Sequence, residues 1–304
     1  VSEKEKVMKS IQYNKKSKLV YTPIDSIERR SNLSYEEFVQ EYASVGKPVI
    51  ITDVVKNWKA FTKWNLDFFR SKYGSVNVGV QDYNPESEFT RYERTYESMR
   101  IDDYIDYMTS GAGNKLLYLT GLCVYDHSEL WEDCEEPIYF NNWYTKMPLE
   151  LLKKHFRYTY EVFMGFKDTS VGLHYDLHYD ATWVAVISGR KKVILFPPDQ
   201  GKYLYEGRVN CFKPNLEKFP LYAKAKSVEC ILNQGEILRI PPNWWHQLKN
   251  LEDTIALAIG TLNECNCELY YQDLLEQAPV KGRLFPLVLK FPWLGRVLVS
   301  SGLI

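Results

Sequence analysis

Between Tyr158 and Gly260 the chain is a succession of short apolar, β-branched and aromatic runs separated by turn residues, and this constrains the fold more than any other feature. The runs predict strands over Tyr158–Gly165, Gly172–Tyr175, Thr182–Ser188, Lys191–Phe196, Ser227–Leu232, Ile237–Ile240, His246–Asn250 and Thr254–Ile259. Many short strands at this spacing argue for a β-sandwich or barrel. Ser188-Gly189-Arg190-Lys191 reads as a hairpin turn, and Asn233-Gln234-Gly235-Glu236 and Leu251-Glu252-Asp253 as further turns. Antiparallel strands in such a barrel can bring distant positions together at its mouth, where small-molecule sites are commonly built.

Mixed and helical patterns flank this β region. Ser34 and Glu37 form a capping box for a helix that carries Phe38, Tyr42 and Ala43 and ends near Gly46. Further helices are expected over about Leu66–Tyr73, stopped by Gly74, over Ile101–Met108 and from Met147, with strands at Lys47–Thr52, Val76–Val80 and Leu116–Thr120. The acidic segment around Glu132–Glu136 reads as a solvated loop. Residues 268–304 return to helical periodicity. Their apolar stretch from Leu284 is interrupted by Pro286, Lys290, Pro292 and Arg296, which favours core or dimer packing over a membrane surface. The expected division is a polar arm over 1–18, an α/β part over 19–157, a β core over 158–264 and a helical element over 265–304. The fold class is mainly β with flanking helices.

Composition narrows the function classes. The 304 residues are 45% hydrophobic, enough for a sizeable core. A formal net charge of -1 gives no global basic field for nucleic acid. The start of the chain is polar, and no run of apolar residues is long enough to span a membrane. Six scattered cysteines, with only Cys265 and Cys267 close together, lack zinc-site spacing and read as reduced thiols. A cytoplasmic protein is expected, in surroundings where iron can stay ferrous.

Two of the five histidines lie in Val171-Gly172-Leu173-His174-Tyr175-Asp176-Leu177-His178-Tyr179-Asp180, each followed two residues later by aspartate. In extended chain, residues i and i+2 point to one face, so one His-x-Asp step offers an imidazole nitrogen and a carboxylate oxygen to a single point. A third donor from His246 would complete the two-histidine, one-carboxylate triad that holds Fe(II) and leaves positions open.

These residues resemble a known family. The His-x-Asp step, the run Ser188-Gly189-Arg190-Lys191-Lys192-Val193-Ile194-Leu195-Phe196-Pro197-Pro198, and Gly235-Glu236-Ile237-Leu238-Arg239-Ile240-Pro241-Pro242-Asn243-Trp244-Trp245-His246 are similar to JmjC-domain oxygenases, and within them to the cupin-like protein hydroxylases. Gly46–Ile51, followed by Trp58, Ala60, Lys63 and Trp64, resembles that branch's entry segment. The resemblance covers about 20–264. It implies a double-stranded β-helix of the jelly-roll or cupin kind. It also implies Fe(II), 2-oxoglutarate and O2 as cofactors, a protein or peptide substrate, and a C-terminal helical element suited to homodimerisation.

Carried over residue by residue, the resemblance makes His174, Asp176 and His246 the metal ligands. The second pair, His178 and Asp180, has the same spacing, but the preceding Ser170-Val171-Gly172 and the distance to Gly189 favour the first. His178 and Asp180 then line the substrate mouth or face solvent. Lys191 matches the lysine that holds the distal carboxylate of 2-oxoglutarate, a charge-assisted contact. Tyr118 matches a tyrosine contacting the same carboxylate. Val171, Val184 and Ala258 stand where members often carry polar residues, with Thr182 as a substitute for one of them. Trp244 and Trp245 read as packing that fixes His246, while Tyr175 and Trp183 are expected near the pocket. Three alternatives stay open: hydroxylation of RNA, demethylation of an N-methyl group, and a non-catalytic scaffold of the same fold.

Overall fold

The computed structural model describes residues 18–83, 96–110 and 115–302. Apart from Lys18, the arm expected over 1–18 lies outside the described residues. The strands are β1 (Glu28–Arg30), β2 (Val49–Ile51), β3 (Asn77–Asp82), β4 (Glu97–Arg100), β5 (Leu117–Cys123), β6 (Tyr160–Gly165), β7 (Ala181–Ser188), β8 (Lys191–Phe196), β9 (Val228–Leu232), β10 (Ile237–Ile240), β11 (Trp245–Asn250) and β12 (Thr254–Thr261). The α-helices are α1 (Tyr35–Phe38), α2 (Lys59–Lys63), α3 (Leu66–Tyr73), α4 (Ile101–Ser110), α5 (Ser128–Glu132), α6 (Leu149–His155), α7 (Cys267–Gln277), α8 (Pro279–Lys290) and α9 (Pro292–Ser300).

One sheet runs β1-β2-β10-β7-β12-β6-β5-β3-β4, and it faces a second sheet, β11-β8-β9. Among the described residues only β1 and β2 pair in parallel. The side chains of β7 show how the layers are built. Val184 and Val186 face Val193 and Leu195 of β8, Val228 and Leu232 of β9 and Leu238 and Ile240 of β10 in an inner core between the sheets. Trp183, Ala185 and Ile187 point the other way, into the core shared with the helices. Alternation with period two therefore buries both faces, which is why this strand reads as a nearly continuous apolar run. This is the double-stranded β-helix that the resemblance implies, and it meets the sandwich or barrel expected from the strand pattern.

Two elements differ from expectation. The turn at Ser188–Lys191 is not a hairpin within one sheet: β7 pairs with β10 and β12, while β8 pairs with β11 and β9. The turn is a corner that passes the chain between sheets, as a jelly roll requires. The strand expected at Gly172–Tyr175 is reduced to isolated bridges, Ser170 to Lys249 and His174 to His246. Gly189 sits at the corner with φ +80, where an added Cβ would lie 2.4 Å from the Asp253 carbonyl oxygen. Gly189→Ala should therefore lower stability by about 1–3 kcal/mol, read as a fall in the urea midpoint. An unchanged midpoint would show that the corner tolerates a side chain.

The flanking part follows the sequence closely. Ser34 and Glu37 form the reciprocal capping box, and the helix passes from α1 into a π-helical turn over Val39–Ala43 that buries Tyr42 and Ala43. The acidic loop is less solvated than its composition suggests. Asp133 is buried, accepting from Trp64 Nε1 at 2.8 Å and pairing with Lys63 Nζ at 2.9 Å. Burial pushes the Glu136 carboxyl up to about 7. The three C-terminal helices pack on the core through Tyr270, Phe285, Val288 and Leu298. Among the described residues no helix is long and apolar enough to cross a membrane.

Candidate metal centre and co-substrate cavity

Antiparallel pairing builds the centre. His174 and His246 exchange both backbone hydrogen bonds, at 3.1 and 2.7 Å, so their Cβ atoms leave the same face and their ring centroids lie 4.2 Å apart. Each imidazole Nδ1 sits against the carbonyl two residues earlier, His174 on Gly172 at 2.8 Å and His246 on Trp244 at 3.0 Å. A carbonyl can only accept, so both Nδ1 atoms carry the proton and both Nε2 atoms present a lone pair. Asp176 is extended (φ -77, ψ 143), which returns its side chain to the side of His174. Its Oδ1 lies 3.7 Å from His174 Nε2 and its Oδ2 3.7 Å from His246 Nε2.

These separations exceed hydrogen-bond length. They are short enough for one ion, bonded to nitrogen and oxygen at about 2.0–2.2 Å, to touch all three groups. Ligand atoms of His174, Asp176 and His246 fall within 4.8 Å of one another. Two neutral imidazole nitrogens and one carboxylate on one face of a cavity make a donor set that fits Fe(II).

The cavity is about 340 Å³ and runs from this cluster to Lys191. It exists because β12 presents Ala256, Ala258 and Gly260, small residues two apart, to the interior opposite Thr182 and Val184. Lys191 is buried at 2% exposure. Its Nζ donates to Tyr118 Oη at 3.0 Å and to Asn250 Oδ1 at 2.6 Å. Desolvation pulls its ammonium pKa down to about 7. Lys191, Tyr118 and Thr182 all line the cavity, as do Val171, Val184 and Ala258. The substitutions that make the cavity less polar are therefore inside it.

Other expectations resolve differently. Trp183 points away from the cavity, packs on Phe38 and Phe140, and donates from Nε1 to Thr261 Oγ1 at 3.3 Å. Tyr175 packs edge-on against Trp245 rather than lining the cavity. Trp244 is packing: its Nε1 donates to the Gly46 carbonyl at 3.1 Å. Both residues of the second His-x-Asp pair line the cavity. His178 lines the cavity and donates from Nδ1 to Asp273 Oδ2 at 2.8 Å. Asp180 does not face solvent; it is buried, accepts from Tyr144 Oη at 2.7 Å, and burial raises its carboxyl well above the usual range.

Sequence reading missed Asn250 and Gly165. Asn250 is the cross-strand partner of Lys191 in the β8–β11 ladder and donates from Nδ2 to Thr169 Oγ1 at 2.9 Å. That partnership needed the register, which the single strand does not contain. Gly165 lies under the Tyr118 ring: an added Cβ would come 2.3 Å from Tyr118 Cδ2 and 2.5 Å from Thr169 Oγ1. Gly165→Ala should push Tyr118 off Lys191 and weaken binding of a dicarboxylate by about tenfold, the scale of one lost hydrogen bond to a charged group. Metal affinity should be unchanged, and calorimetry of the two ligands separates the effects.

Fold and site together define a jelly-roll protein with a two-imidazole, one-carboxylate cluster at the mouth of its barrel. The profile of the cupin-like domain matches residues 35–259, and the chain belongs to that family. It is 29% identical over 273 residues to the arginine-specific demethylase JMJ20 of Arabidopsis thaliana, covering 80% of this chain and 58% of the relative. It is 27% identical over 282 residues to the 2-oxoglutarate and iron-dependent oxygenase JMJD4 of Danio rerio, covering 84% and 64%. It is 28% identical over 280 residues to the bifunctional arginine demethylase and lysyl-hydroxylase psr-1 of Caenorhabditis elegans, covering 85% and 66%. The chain thus spans less than two thirds of the length of each of these relatives.

Proposed function

We propose that this chain is an Fe(II)- and 2-oxoglutarate-dependent oxygenase that hydroxylates a protein or peptide side chain. The observation that carries the reading is one cavity with the His174–Asp176–His246 cluster at one end and the buried Lys191 ammonium at the other. His174, Asp176 and His246 would hold the iron, which supplies oxygen activation coupled to decarboxylation of the 2-oxo acid. Lys191 would bind the distal carboxylate of 2-oxoglutarate, with Tyr118 donating alongside it and Asn250 holding the ammonium in place. Thr182 would supply a further polar contact in a cavity whose walls include the apolar Val171, Val184 and Ala258 and the polar Thr159 and Glu161.

Demethylation is the second reading, favoured by relatives named as arginine and lysine demethylases. The two share one oxidation, because a hydroxylated N-methyl group collapses to formaldehyde. Against a nucleic-acid substrate stands the net charge of -1. A reducing, cytoplasmic setting suits six free cysteines and a ferrous centre. The tail offers Leu287, Phe291, Trp293 and Val297 as an exposed apolar face, the surface for a homodimer; sedimentation at increasing concentration tests it.

Protein reconstituted anaerobically with Fe(II), then given 2-oxoglutarate, O2 and a peptide pool, decides the main reading. Succinate with a gain of one oxygen on a peptide supports hydroxylation, and formaldehyde with loss of a methyl group supports demethylation. Iron uptake with no succinate from any pool would leave a binding scaffold instead.

A further inference from the structure

Building on the metal centre proposed above, we propose that α7 is a clamp on the third ligand: Asp273 and Asn266 hold the loop that follows Asp176 and so keep that carboxylate aimed at His174 and His246. The two histidines fix each other through their paired backbone hydrogen bonds. Asp176 instead opens the short turn Leu177–Tyr179. Two consecutive residues of this turn, His178 (φ 59) and Tyr179 (φ 57), occupy left-handed backbone. Neither is glycine, and such strained backbone persists only where its surroundings over-determine it.

The surroundings that do so come largely from one helix face. Asp273 Oδ2 accepts from His178 Nδ1 at 2.8 Å. Asn266 Nδ2 donates to the Tyr179 carbonyl at 2.9 Å. Between them the Tyr270 ring stands edge-on to the His178 ring, with centroids 6.2 Å apart. Asn266 is the N-cap of α7 and Tyr270 and Asp273 follow it at helical spacing, so one side of that helix meets the turn. From the core side, Tyr144 Oη holds Asp180, closing the far end of the loop. The second His-x-Asp pair thus serves as the seat of the clamp. α7 lies beyond residue 259, outside the span matched by the cupin-like domain.

The test uses the full chain and two readouts. One is anaerobic Co(II) titration followed by visible absorption; the other is hydrogen exchange over 177–180 in metal-free protein. Asp273→Ala should speed exchange in that loop while β7 and β12 stay protected, and should weaken Co(II) binding by about tenfold, the effect expected of an outer-shell partner. Asp273→Asn keeps an acceptor for His178 and should bind Co(II) within about threefold of wild type, a difference no larger than about one neutral hydrogen bond. His178→Ala breaks the same contact from the other side, so combining it with Asp273→Ala should cost no more than either change alone. It also supplies the test should Asp273→Ala fail to fold. Wild-type exchange in Asp273→Ala, or faster exchange with unchanged Co(II) affinity, would overturn the clamp. A wild-type chain that takes up no Co(II) would instead remove the metal centre on which the clamp rests.

Discussion

Asp176→Ala is expected to abolish metal uptake and turnover together while leaving the jelly roll folded. Its carboxylate is the anion that faces both Nε2 atoms. Without it, two neutral imidazoles confront a divalent cation with no charge to offset it. The nearby Asp180 cannot substitute, because it is buried and its Oδ1 is held by Tyr144 Oη. The loss in affinity should exceed the roughly 10–100-fold typical of outer-shell changes. Asp176 keeps about a quarter of its side chain exposed (23%) and makes no part of the β ladder, so thermal unfolding of the metal-free protein should shift little. Co(II) titration and succinate release measure the loss. Wild-type consumption of 2-oxoglutarate by Asp176→Ala would contradict the assignment.

Lys191→Met is expected to cost about 100-fold or more in affinity for 2-oxoglutarate, the scale of removing one partner of a buried charge pair, with Co(II) binding retained. The pH dependence gives an independent signature. Burial lowers the Lys191 pKa from 10.5 in the unfolded chain to about 7 in the fold. Between those values the unfolded chain binds the extra proton, so ligand-free stability should rise as pH climbs from about 7 to about 10.5 and should fall as pH drops back through that window. Lys191→Met should lack this rise. A bound carboxylate restores the charge, so above pH 7 binding must take up a proton and affinity should decline with increasing pH. Calorimetry in buffers of different ionisation enthalpy detects that uptake. A flat profile in wild type would show that Lys191 stays charged or lies away from the ligand.

Much of this was legible in the chain because periodicity and local chemistry report on faces. Seven of the eight short runs are strands to within a few residues, Ser34 and Glu37 form the expected cap, and Tyr118, Lys191 and the three proposed ligands all reach one cavity. What escaped depends on pairing. Nothing within Ser188–Lys191 distinguishes a hairpin from a corner, since the difference lies in which partners β7 and β8 choose. Trp183 is close in sequence to the cluster but one residue out of phase, which turns it to the opposite face. Asn250 becomes the partner of Lys191 only once β11 is registered on β8. Asp273, nearly a hundred positions from His178 (|i−j| = 95), gives no local sign that it meets the turn.

The most direct test of the central claim is anomalous scattering from crystals grown with Mn(II) and N-oxalylglycine. A single metal peak should appear about 2.0–2.2 Å from Nε2 of His174, Nε2 of His246 and a carboxylate oxygen of Asp176, with the far carboxylate of the analogue on Lys191 Nζ. Metal density elsewhere, or an analogue bound away from Lys191, would contradict the account.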